Sequence, residues 1–202
     1  MRLIRPSPFM RLLFPEAIFR IEEAEKELYL TFDDGPDPES TPGILDILEE
    51  HDAGASFFCL GEAAERYPEL VSRIKSNGNV VGNHGYRHLN GWITNTSVYI
   101  RNINRAAGFT SANLLRPPYG RMRPSQYREL IKNYRIVFWD LMPYDFDSSM
   151  SAETILKLLR KKIRPGSIIV LHDSKTSSVL SFLGEFIRYA GGEGYTFRIL
   201  TG

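Results

Sequence analysis

Cys59 is the only cysteine in the chain. An internal disulfide is therefore impossible and a zinc–thiolate cluster cannot be built. Set in an apolar run, Cys59 reads as a small buried hydrophobe. Charge of one sign is also lacking: 25 Lys and Arg against 24 Asp and Glu leave a formal +1. That balance argues against nucleic acid or an anionic membrane as the main partner. No apolar run reaches the roughly 18 residues of a membrane span, so no transmembrane segment is expected. Repeats, low-complexity tracts and linkers are missing too. With 43% hydrophobic residues in a length of 202, one globular domain is expected, most simply a monomer.

The opening segment is short of anything like a secretory core. Arg2 and Arg5 precede a brief apolar patch, but Pro6, Pro8, Arg11 and Pro15 interrupt it. Phe9, Leu12, Leu13, Ala17 and Phe19 suit an amphipathic segment covering one end of the domain, with a targeting or interfacial helix as the other reading. Residues 1–27 are accordingly read as an extension packing on a domain of residues 28–202. Both a cytoplasmic and a cell-envelope location stay open.

What is present begins with Leu28-Tyr29-Leu30-Thr31-Phe32-Asp33-Asp34-Gly35-Pro36. Strand-forming residues run into two adjacent carboxylates and stop at a turn signal. Strand alternation sends Asp33 and Asp34 to opposite faces, so they cannot share one job. Two neighbouring acids repel unless a cation or basic group lies between them. Fifty positions on comes Asn83-His84-Gly85-Tyr86-Arg87-His88, two imidazoles whose spacing lets both reach one centre from a helical turn or a tight loop. One carboxylate and two imidazoles make a three-ligand metal site with room for water, and the remaining carboxylate is a candidate base.

Along the rest of the chain, strands are expected near residues 55–60, 79–82, 114–116, 135–140, 167–171 and 195–200. Helices fall between them, opened by Thr41-Pro42, Pro68, Thr94, Pro124, Ser151 and Val179. Thr41 is read as an N-cap, and Gly78 ends the helix begun at Pro68. Seven strand–helix alternations with short connections predict a parallel α/β sheet, closed into a distorted (β/α)7-type barrel; an open doubly wound sheet is the alternative. Asp33/Asp34, His84/His88, Arg116-Pro117-Pro118-Tyr119, Asp145-Phe146 and His172-Asp173 all follow predicted strands. In a parallel barrel those strand ends share one rim, where active sites are built. Singly, each has a plainer explanation, since a strand-end Asp is usually a turn former and a lone His is usually structural.

Thr31-Phe32-Asp33-Asp34-Gly35-Pro36, His84-x-x-x-His88, Arg116-Pro117-Pro118-Tyr119, Asp145-Phe146 and Leu171-His172 resemble, in order and spacing, the motifs of the polysaccharide deacetylase family. This is the NodB-homology domain, carbohydrate esterase family 4, and the likeness covers about residues 28 to 200. The resemblance implies metal-dependent removal of acetyl groups from the N-acetylated sugars of a peptidoglycan- or chitin-like polymer. It implies Asp34, His84 and His88 as metal ligands and Asp33 as catalytic base paired with Arg116. Tyr119 would offer a backbone N–H to the oxyanion, Asp145 would orient the catalytic acid His172, Leu171 would wall the acetyl methyl, and Phe146 would border the substrate. Two positions depart from the pattern: Gly85 stands where Ser or Thr is usual, so a loop-bracing hydrogen bond is lost or replaced, and Phe146 stands for Trp.

The chemistry is coherent on physical grounds. An amide is a poor electrophile, and a divalent metal polarises its carbonyl and activates water. Asp33 takes the water's proton while Arg116 keeps it ionised and aimed. His172 supplies a proton to the leaving amine if Asp145 favours the imidazolium. Zinc fits two imidazoles and a carboxylate with an open position, and Co, Ni, Mn or Fe fit the same set. A related metal amidase acting on a small cyclic amide or formamide is the alternative, as is a non-catalytic glycan-binding relative. A phosphatase is weaker, because no Gly-rich phosphate cradle is present.

Overall fold

In a computed structural model that describes residues 3–110 and 113–201, β1 (Glu27–Asp33) lies mid-sheet, as its near-complete burial requires. Arg2 lies outside the described residues. A strand apolar on both faces can only be accommodated between two others and two helical layers. It is flanked in parallel by β2 (Ala55–Cys59) and β6 (Ile168–His172), with Asp33 opposite Phe58 on one side and His172 on the other. Beyond β2 follow β3 (Val80–Asn83), β4 (Leu114–Leu115) and β5 (Arg135–Ile136), and β7 (Thr196–Phe197) pairs with the first residues of β1. Every pairing between these strands is parallel.

The fifth strand is shorter than the sequence predicts, for a geometric reason. Residues 135–141 must cross from β4 to β6, so their two ends pair with different neighbours. Arg135 and Ile136 pair with β4, Val137 bridges Ile18, and Leu141 bridges Ile169 of β6. These bridges curl the sheet into a distorted (β/α) barrel.

The helices are α1 (Pro8–Leu13), α2 (Thr41–Glu50), α3 (Gly61–Arg66), α4 (Pro68–Ser76), α5 (Thr96–Ala106), α6 (Pro124–Leu130), α7 (Ala152–Lys162) and α8 (Leu183–Gly192). Ser151 caps α7 by accepting from the Thr154 N–H. Thr41 does not cap α2: Ser40 holds that position, and the Thr41 hydroxyl is engaged elsewhere. The one-turn α3 escapes sequence reading because it carries no apolar periodicity. Gly78 has the left-handed φ of +77° that closes α4. No helix among the described residues is long and apolar enough to cross a membrane.

The first residues contribute to the core. Phe14 and Phe19, each 4% exposed, stack on Phe138 at 5.2 and 4.9 Å between ring centres. Arg5 reaches the buried Asp140, whose carboxylate also accepts from Ser167. Phe19→Ala should therefore cost about 3–5 kcal/mol, the range for emptying a buried aromatic site. A urea midpoint unchanged from that of the parent chain would show that this contact contributes nothing.

Candidate active site

β1, β3, β4 and β6 deliver their last residues to the same rim. Strand geometry turns Asp33 inward, and the chain then leaves the sheet at once, since Asp34 has φ +78°. Alternation therefore stops where the strand does, and both carboxylates border one cavity instead of opposite faces, with different partners. Asp34 Oδ1 lies 3.6 Å from His84 Nε2 and 3.3 Å from His88 Nε2. Ligand atoms of all three residues lie within 4.8 Å of one another.

The hydrogen bonding decides what this cluster can accept. His84 Nδ1 is 2.9 Å from the Arg116 carbonyl, so that nitrogen carries a proton and Nε2 is the ring atom turned toward Asp34. Burial, with the neighbouring His84, pushes the His88 pKa down to about 4, leaving that ring neutral. Asp34 Oδ1 is buried and has no hydrogen-bond partner among the described residues. Asp34 Oδ1 and two imidazole Nε2 atoms therefore converge on one point. A carboxylate oxygen and two imidazole nitrogens at this spacing suit a divalent metal.

Arg116, 1% exposed, lies behind this cluster. Its Nη1 donates to Asp33 Oδ1 and Thr31 Oγ1, both at 2.7 Å, and Nη2 to the Phe138 carbonyl at 2.9 Å. Burial alone would raise the Asp33 pKa. The guanidinium outweighs it and, with His84 and His172, holds the carboxyl below its usual range.

Across the opening, His172 Nδ1 is 3.0 Å from Asp145 Oδ1, while Asp145 Oδ2 accepts from the His172 N–H at 2.8 Å and from Ser177 Oγ at 2.6 Å. Burial opposes protonation of this imidazole. The Asp145 charge and hydrogen bond prevail and raise its pKa to about 9. Phe146 packs its edge against His172 at 4.5 Å, and Tyr119, with φ +60°, packs against His88 at 4.2 Å. A cavity of about 490 Å³ opens between these groups.

One assignment needs correcting. Leu171 is fully buried in the core beside Phe32 and does not line the cavity, whereas Val170 does. The reason is the two-residue period of β6: His172 faces the site, so Val170 faces it too and Leu171 points away.

The loop carrying the imidazoles is braced by residues the sequence did not single out. Gly85 has φ +82°, and a Cβ there would stand 2.7 Å from Asn102 Nδ2. Asn102 of α5 accepts from the Arg87 N–H at 2.9 Å and donates to its carbonyl at 2.8 Å. Asn83 Oδ1 accepts from the Gly85 N–H at 2.7 Å. The expected missing brace is replaced by two asparagines. Thr31 and Val170 were findable by alternation; Ser177 and Asn102 had no local signal.

Comparison with known proteins gives a consistent picture. The family model described as polysaccharide deacetylase matches residues 20–139. A peptidoglycan-N-acetylglucosamine deacetylase of Bacillus cereus is 41% identical over 73% of the chain, which spans only 56% of that relative's length. A chitooligosaccharide deacetylase of Azorhizobium caulinodans is 32% identical, over 76% of this chain and 77% of its own. Among solved structures, the Bc1960 peptidoglycan N-acetylglucosamine deacetylase superposes with a TM-score of 0.89 at 32% identity, covering 96% of this chain and 95% of that one.

The pH dependence of stability follows from His172. Its imidazole titrates near 6.5 when unfolded and near 9 when folded. Its contribution is therefore complete below about 6.5 and lost as the pH rises through about 9. In the metal-free chain, Asp145→Asn should flatten the fall in urea midpoint over that window. An identical slope in both proteins would remove Asp145 as the cause.

Proposed function

The chain belongs to the polysaccharide deacetylase family, and we propose that it hydrolyses the acetamido groups of N-acetylated sugars in a peptidoglycan- or chitin-like glycan. The observation that carries this is an Asp34 Oδ1 without a hydrogen bond between two imidazole Nε2 atoms, with an ionised carboxylate and an imidazolium on either side. Asp34, His84 and His88 would hold one divalent metal. Zinc suits the donor set and hydrolytic chemistry, and Co, Ni, Mn or Fe would fit the same ligands. When bound, the ion supplies Lewis acidity toward the acyl oxygen and acidifies water.

The remaining work falls to side chains already in position. Asp33 accepts a proton from the attacking water. Because Arg116 keeps its carboxyl ionised, it is a weak base but an always available and aimed one. The amide nitrogen leaves only as a protonated amine, and His172, held as imidazolium by Asp145, donates to it. Base and acid thus differ in protonation because one faces a guanidinium and the other a carboxylate. The Tyr119 N–H is assigned to the developing oxyanion. Val170 takes the role of apolar wall beside the acetyl methyl, and Phe146 shields His172 from solvent. The domain that begins at residue 28 carries the reaction, and the described residues before it, 3–27, pack on it; the acting form is a monomer.

Purified protein should release acetate from N-acetylated chitooligosaccharides or peptidoglycan fragments, and a chelator should abolish that release. Turnover of cyclic amides or formamides without acetate release would move the chain to another amidase class. Asp33→Asn should retain metal and lower kcat by roughly 10²–10⁴-fold, the range for losing a general base. Near-normal kcat would exclude Asp33 from that role. His84→Ala should lose metal on elemental analysis, and undiminished content would exclude it as a ligand.

A further inference from the structure

A carboxylate that this chemistry does not use lies buried beneath the turn carrying Asp34. Asp173 follows His172 and is 1% exposed. Its N–H donates to the Asp33 carbonyl at 2.8 Å. Oδ1 accepts from Ser40 Oγ at 2.5 Å, and Oδ2 accepts from Thr41 Oγ1 at 2.6 Å. Thr41 Oγ1 in turn accepts from the Asp37 N–H at 2.8 Å. The turn from Asp34 to Asp37 is thereby held at both ends through one residue, and the Leu60 N–H holds its middle at the Gly35 carbonyl, 3.0 Å away.

Two features show what the clasp is for. A Cβ on Gly35 would stand 2.1 Å from Asp173 Oδ2, and the backbone there is not left-handed. Glycine is needed at that position because the Asp173 carboxylate occupies the space. Asp34 itself adopts a left-handed φ of +78°, a region that few residues besides glycine, Asn and Asp enter. Its Oδ1 makes no hydrogen bond among the described residues and touches only the two imidazoles it is aimed at, so no hydrogen bond to that atom fixes the carboxylate's direction. The backbone must do so, and Asp173 holds the backbone.

We propose that Asp173 is a positioning residue of the cation site, bracing the Asp34 turn from below so that the Asp34 carboxylate faces His84 and His88. This rests on the assignment of those three residues as metal ligands. Outer partners of metal ligands typically govern affinity by 10–100-fold.

The test is zinc affinity, measured by competition with a chromophoric chelator on the full chain. Asp173→Ala should raise Kd by roughly 10–100-fold. Thr41→Val, which cuts one link and keeps the carboxylate, should raise it in the same direction by less. Asp173→Asn should recover most of the loss, because its carbonyl can stay on Thr41 while the Ser40 hydroxyl turns to accept. At saturating zinc the kcat of Asp173→Ala should return to near the parent value, a result that general loss of structure would not give. A folded Asp173→Ala with the parent Kd overturns the proposal, as does a low kcat at saturating zinc with Kd unchanged. Should Asp173→Ala fail to fold, an unchanged Kd in Thr41→Val overturns it. Failure of the parent chain to bind zinc at all would instead overturn the ligand assignment itself.

Discussion

A guanidinium with no access to water sits at the centre of the barrel mouth, and the site is arranged around it. Burying a cation is costly unless its donors are met and a counter-charge is close. Arg116 is met by Asp33, Thr31 and two backbone carbonyls, and it lies 4.2 Å over the Phe58 ring. Its own carbonyl accepts from His84. One residue therefore fixes the charge of the proposed base and the tautomer of a proposed ligand. Breaking a buried pair of this kind typically costs on the order of 3–5 kcal/mol, because the partner is left charged and unsolvated.

The rest of the rim extends the same electrostatic logic. Asp33 and His172 end adjacent strands that pair in register, so their protonation states are set within one small volume. Asp33 is ionised because its strongest partner is a cation, and His172 is charged because its strongest partner is an anion. His88, pressed between burial and a second imidazole, goes the other way and stays neutral. An acceptor, a donor and a neutral imidazole thus coexist within one site at neutral pH.

Holding these groups in place falls to loops, and each loop is braced from outside the motif it carries. Asn102 secures the imidazole loop from α5, Ser177 secures Asp145 from beyond β6, and Asp173 secures the Asp34 turn. Gly35 and Gly85 are needed for different reasons, the first for room beside a carboxylate and the second for a left-handed φ as well as room.

Local order along the chain was enough to determine the alternation of strands and helices, the parallel sheet, and the residues gathered at its rim. Each of these follows from short-range periodicity, turn chemistry and the rule that parallel strands end on one side. The choice of Val170 over Leu171 could have been read for the same reason, whereas the left-handed turn at Asp34 that brings both carboxylates to one cavity could not. Folding alone decided the truncation of β5, the use of Ser40 rather than Thr41 as a cap, and the bracing by Asn102, Ser177 and Asp173. Those outcomes depend on which segments meet across the barrel, and partners separated by up to 133 positions leave no trace in the spacing of nearby residues.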